Sequence, residues 1–142
     1  YDKRISPHFI KSGLAFGGTC FPRDTRAFIK LSENLGLDAV HIKATQRINE
    51  LQNELLFEKV KAYKNKTIGI VGLSFKPDTA VVVESPGQIL FDKLSSSSYT
   101  VTAFDPLVLN STDLQDFINN VDVVVINHND KKLISSVRFD NS

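Results

Sequence analysis

The run Phe16-Gly17-Gly18-Thr19-Cys20-Phe21-Pro22-Arg23-Asp24 carries the densest set of reactive and conformationally special residues in the chain. Gly17-Gly18 permits backbone angles that other residues avoid and lets a ligand approach closely. Cys20 falls just before Pro22, which suits the first turn of a helix. A thiol at a helix N-terminus meets free N–H groups and the positive end of the macrodipole, and both favour the thiolate. Asp24 follows four residues later, on the same helix face. A thiol nucleophile beside a carboxylate is the layout for covalent catalysis on a carbonyl. The same cysteine also reads as a small buried hydrophobe, the usual state of a free Cys, and spacing alone does not separate the two.

A second stretch is Gly69-Ile70-Val71-Gly72-Leu73-Ser74-Phe75-Lys76-Pro77-Asp78-Thr79. It follows an apolar strand, as a nucleotide-binding loop does, but matches neither GxGxxG nor GxxxxGK[ST]. Lys76, with the helix start at Ser85-Pro86, could hold an anion, and it reads equally as a solvated loop lysine. Asp105 ends a strand where a carboxylate can accept from a ribose hydroxyl, but Asp105-Pro106 reads better as a turn. His8, His41 and His128 have no metal spacing and read as surface or packing residues. Arg4, Lys11, Arg23 and Arg26 form a basic cluster around the Cys loop, either a solvated face or a phosphate-holding one.

These residues need elements to position them. A helix from Pro22, with Ala27, Phe28, Leu31 and Leu35 at helical spacing, ends at Gly36 as a C′ glycine. A second helix spans about Asp38 to Tyr63. Ala44, Ile48, Leu51, Leu55 and Val60 make its apolar stripe, and Gln46, Glu50, Asn53 and Lys61 its polar side. At about 38 Å it is long for so small a chain, which suggests that it packs against something beyond it. Residues 67–73 read as a buried parallel strand. A helix follows from the Ser85 N-cap through Leu94, then a strand over Tyr99–Phe104, a helix over 112–119, a strand over Asp122–Ile126 and a weak helix over Asp130–Ser135. Ser95–Ser98 is a helix end and loop. The expected fold is α/β: a central helical region with a long helix (residues 1–64), followed by a Rossmann-like parallel α/β domain (residues 65–142). Three strands make a thin sheet, so a last strand is expected to be missing.

The composition limits the function classes. The chain has 142 residues, with 17 Lys+Arg against 16 Asp+Glu, so no basic field points to nucleic acid. A single Cys excludes an internal disulfide framework and a Cys-based zinc site. No apolar run reaches the roughly 20 residues of a membrane span, and the N-terminus has no signal-peptide core. The chain begins with Tyr and contains no Met, so it is expected to be processed or a piece of something longer.

At its two motifs the sequence resembles the UDP-glucose and GDP-mannose (nucleotide-sugar) dehydrogenase family. The family motif GFGGxCxPKD is similar to Ala15-Phe16-Gly17-Gly18-Thr19-Cys20-Phe21-Pro22-Arg23-Asp24, and GLxFKxxTDDxRESP to Gly72 through Pro86. Arg4-Ile5-Ser6-Pro7 and Phe9-Ile10-Lys11 resemble the lead-in. The resemblance covers nearly the whole chain. It implies NAD-dependent oxidation of a sugar C6 alcohol to a carboxylate, with UDP-glucose as substrate and GDP-mannose as the alternative. It implies that Cys20 attacks the aldehyde-level intermediate to give a thiohemiacetal, then a thioester that water cleaves, with Asp24 assisting. It assigns Arg4, Phe9, Lys11, Phe16, Gly17, Phe21 and Lys76 to the sugar nucleotide, Arg4 by reaching a partner subunit's site, and Arg23 to the cofactor. It makes the helix over 38–63 a homodimer interface and the protein a cytoplasmic enzyme of polysaccharide precursor synthesis.

The chain departs from the family at Ala80-Val81-Val82-Val83, where Val83 replaces an Arg that contacts the cofactor. The GxGxxG domain that holds NAD, and an upstream Lys and Asn of the site, are not in this chain. The expectation is therefore a fragment that is inactive alone. The rival reading is a diverged, non-catalytic module that dimerises and binds a nucleotide sugar or nothing.

Overall fold

β1 (Ile68–Val71) is the centre of the sheet, and all four of its residues are buried. Its β-branched, uninterrupted apolar run is what a parallel strand covered on both faces requires. β2 (Val101–Phe104) and β3 (Val123–Ile126) flank it, both parallel, in the order β2-β1-β3; Ile68 lies opposite Val101 on one side and Val123 on the other. In the computed structural model, which describes residues 2–5, 13–128 and 135, the helices are α1 (Phe21–Asn34), α2 (Val40–Val60), α3 (Pro86–Ser96) and α4 (Leu114–Asn119). A single 3-10 turn, Lys61–Tyr63, follows α2.

Two cores hold this layer together. On one face Ile68, Ile70 and Leu73 pack with Phe57 and Val60 of α2 and with Leu90 and Leu94 of α3. On the other, Val71 and Phe104 pack with Leu114, Phe117 and Ile118 at α4. Gly69 is small for a reason: a Cβ there would meet Phe117 and Val121 within about 3 Å. α2 thus belongs to the sheet's core at its C-terminal end and carries α1 along its N-terminal half. No helix among the described residues is long and apolar enough to cross a membrane.

The fold is α/β as expected: helical first, then a parallel layer. Several local readings shift. The long helix is 21 residues, not the whole of 38–63, because its last turn tightens into the 3-10 piece. Its polar side is not simply solvated. Gln46, Asn49 and Asn53 are half-buried toward the chain, whereas Ile48, Leu51 and Leu55 are exposed. Gly36 does close α1 with a positive φ, and Leu37 N–H donates to Ser32 O at 2.9 Å. Ser85 sits at the N-cap of α3 but makes no side-chain cap bond; its hydroxyl donates to Ser74 O instead. The strands begin one or two residues later than the apolar runs suggest, and the expected helix over 130–135 lies outside the described residues apart from Ser135.

Candidate active site

Cys20 occupies the N-cap of α1, and it is exposed. The buried-hydrophobe reading of this thiol is therefore overturned. Its Sγ lies 3.6 Å from Thr19 Oγ1, and its carbonyl accepts the Asp24 N–H at 2.8 Å. Asp24 Oδ1 accepts from Arg23 Nε at 2.8 Å, and this guanidinium holds the Asp24 carboxyl below the usual carboxylate range. Both side chains are open to water, so the pair is a weak hold. In this state Asp24 faces a cation on its own helix while sharing the first turn with the thiol.

The loop before Cys20 is pinned at successive residues. Phe16 N–H donates to Asn49 Oδ1 at 2.7 Å, and Asn49 Nδ2 donates back to Phe16 O at 3.0 Å. Gly17 lies against the Glu84 carbonyl so closely that a Cβ would collide with it. Gly18, at φ +89°, donates its N–H to Val83 O at 2.7 Å, and a Cβ there would sit 2.8 Å from the Phe75 ring. Only glycine fits either place. The two sequence motifs therefore meet: the Cys loop docks on the segment 72–85. Arg26 Nη2 pairs with Glu84 Oε1 at 2.6 Å and ties α1 to the same segment.

Lys76 lies 5.4 Å from the centre of the Phe75 ring, on whose carbons Gly18 also packs. This brings Lys76 to the neighbourhood of the Cys loop. Phe16 and Phe21 have ring centres 6.0 Å apart, with Phe21 largely exposed, so an aromatic pair borders the thiol. Arg4 is folded onto Asp2, with Nη2 at 2.6 Å from Oδ2. Phe9 and Lys11 lie outside the described residues. Val83 is half exposed and contributes its carbonyl to Gly18.

At the C-terminal ends of the strands, Asp105 makes the turn. Its Oδ2 accepts from Leu73 and Ser74 N–H, and its Oδ1 from Leu107 and Val108 N–H, all at 2.9–3.0 Å. With every lone pair taken by backbone, Asp105 is structural and the ribose alternative falls away. His128 packs on Gly72 and reaches Ser74 Oγ at 3.2 Å, a packing role. Asn127 Nδ2 donates to Ser74 O at 2.9 Å and locks the turn to β3. A cavity of about 200 Å³ opens here, lined by Gly72, Ser74, Asp78, Asp105 and His128. The glycines of the β1 turn offer no phosphate cradle: Gly69 faces Phe117 and Gly72 faces the His128 ring. A dinucleotide pyrophosphate does not fit at that turn.

Sequence reasoning missed Asn49. Its signal was a polar residue at the inward positions of α2, where 42, 46, 49, 53, 56 and 60 recur at helical spacing; the apolar stripe drew attention to the other face.

Residues 1–51 match the UDP-glucose/GDP-mannose dehydrogenase family, central domain, and residues 69–139 match the same family's UDP binding domain. A UDP-glucose 6-dehydrogenase of Pseudomonas aeruginosa is 39% identical over 111 residues, 75% of this chain and 24% of that protein. The chain superimposes on the crystal structure of a ternary complex of GDP-mannose dehydrogenase from the same species with a TM-score of 0.84 at 25% identity, covering 92% of this chain and 35% of that one. A UDP-glucose dehydrogenase from Pyrobaculum islandicum gives 0.81 at 32%, covering 92% and 34%. The chain spans between 24% and 35% of the length of the curated relatives it matches.

Proposed function

The chain belongs to the UDP-glucose/GDP-mannose dehydrogenase family, and from that premise we propose that it is the thiol-bearing and sugar-nucleotide-binding portion of an NAD-dependent UDP-glucose 6-dehydrogenase. One observation carries the reading: the Cys20 loop is seated on the Phe75–Glu84 segment through Gly17 and Gly18, so the two motifs form one site. Residues 1–64 supply the nucleophile loop and the helix pair; residues 65–142 supply the layer that takes the nucleotide.

In this reading Cys20 Sγ adds to the aldehyde carbon of the half-oxidised sugar, and the carbonyl oxygen takes a proton, giving a thiohemiacetal. Hydride acceptance is the chemistry that a nicotinamide cofactor supplies when bound. The thioester left by oxidation is opened by water, with Asp24 as the base once it is free of Arg23. Arg23 would be the residue of this chain that helps hold the cofactor. Lys76 and Lys11 are the cations this reading assigns to the diphosphate. The same reading assigns Phe9, Phe16, the Gly17 backbone and Phe21 to the sugar nucleotide, and Arg4 to the partner subunit's site. The cofactor is held mainly by parts of the protein outside this chain, so the chain alone does not reduce NAD. A homodimer through α2, a cytoplasmic location and a place in polysaccharide precursor synthesis belong to the same reading.

GDP-mannose is the alternative substrate, favoured by the 0.84 TM-score to the GDP-mannose enzyme. Alkylation of Cys20 by iodoacetamide tests both. Fast alkylation at pH 7, slowed by UDP-glucose and not by GDP-mannose, is the expected result. The reverse selectivity transfers the assignment to GDP-mannose. A thiol that reacts no faster than free cysteine, with neither nucleotide protecting it, makes the chain a non-catalytic module.

A further inference from the structure

We propose that Asn49 is the positioning residue that sets the conformation of the Cys20 loop, an inference that rests on the reading of Cys20 as the nucleophile. Asn49 lies in the middle of α2, and its carboxamide engages both polar backbone atoms of a single residue, Phe16, 33 positions away. The pairing imitates one rung of a β-ladder, built from a side chain. Asn is a poor helix former, so its place in a long helix calls for a compensating contact.

Phe16 begins the run of fixed backbone. Asn49 holds Phe16 from α2, the Glu84 carbonyl presses on Gly17, and Val83 O takes the Gly18 N–H. The next two residues are Thr19 and Cys20. The loop is thus strung between two supports, α2 and the segment 72–85, and the thiol sits just past the second one. Removing the α2 support leaves the chain before Gly17 free to swing, and the direction in which Cys20 Sγ points is no longer set from both sides. Only a short carboxamide serves: Asp keeps the acceptor but sets a negative charge against Phe16 O, and Leu fills the same volume while leaving both backbone groups unpaired.

The test uses Asn49→Leu and Asn49→Ala in the chain, both with better helix formers than Asn. Amide hydrogen exchange at Phe16 reads the clamp directly. It is expected to accelerate at least about tenfold in both variants, while the urea midpoint of the helical signal stays the same or rises. The pH profile of Cys20 alkylation is expected to shift, and protection by UDP-glucose to weaken. Unchanged exchange at Phe16 overturns the clamp. Faster exchange that merely follows a lower urea midpoint makes Asn49 a general stability residue and also overturns the proposal, as does an alkylation profile identical to the parent. A parent Cys20 that behaves as free cysteine defeats the nucleophile reading instead, and the Phe16 exchange still reports separately on the clamp.

Discussion

Asp105 shows how a single carboxylate can organise a strand end. Burial raises its pKa, but the N–H groups of Ser74, Val108, Leu73 and Leu107 outweigh that and hold it below its ordinary 3.8. A depressed folded value means that its stabilisation is present above pH 3.8 and is lost as the pH falls through the lower folded value. Asp105→Asn places an amide N–H₂ where two backbone donors point. It is expected to cost about 2–3 kcal/mol at neutral pH, measured by urea unfolding, and the gap to the parent is expected to narrow below pH 3.8. A gap that stays constant down to pH 2.5 would refute this account. At this scale the sequence was legible where chemistry repeats a known pattern: the helix start at Cys20-Phe21-Pro22 and the turn at Asp105-Pro106. Asn49 was missed: its inward position on α2 is readable from helical spacing, but its partner Phe16, 33 residues away, is not.

The elements show why glycine and a strained residue coexist at the docking of α1 on the segment 72–85. Glu84 has φ +50°, a left-handed backbone that an L residue rarely adopts, and its side chain pairs with Arg26. The ion pair is half exposed and solvent-screened, so it is a weak hold. Glu84→Ala removes the pair and keeps the strain, whereas Glu84→Gly removes both. The Gly variant is therefore expected to be the more stable of the two by about 1 kcal/mol, by urea midpoint. Equal midpoints would show that the strain is relaxed by the surrounding loop. α2 illustrates the limit of periodicity. Its expected apolar stripe is split: Val60 enters the core while Ala44, Ile48, Leu51 and Leu55 stay exposed, because which face points inward depends on what the rest of the chain offers. Here the chain offers Phe16's polar backbone to the inner face, and leaves Ile48, Leu51 and Leu55 outside.

At the scale of the whole molecule the parallel layer was legible in outline, because buried β-branched runs alternate with capped helices. The order β2-β1-β3 was not, since nothing local says on which side of β1 the third strand lands. The outer surface of α1 and α2 exposes Phe28, Leu31, Leu35, Ile48, Leu51 and Leu55. In the proposed reading this patch is the surface through which two copies associate. In the proposed homodimer, glutamate at Ile48 and Leu51 together is expected to turn dimers into monomers in sedimentation experiments, with the helical signal of the native chain unchanged and the urea midpoint losing its dependence on protein concentration. A parent chain that is already monomeric at high concentration contradicts that arrangement. The exposed thiol at the head of α1 has one more consequence. With one Cys and no Met, Sγ of Cys20 is the only sulfur atom in the chain. Peroxide, which attacks protein sulfur first, finds a single address, and the thioether oxidation that blurs mass spectra of most proteins has no target here. A step of one, two or three oxygens in the intact mass then reads the redox history of one atom, in an unmutated chain.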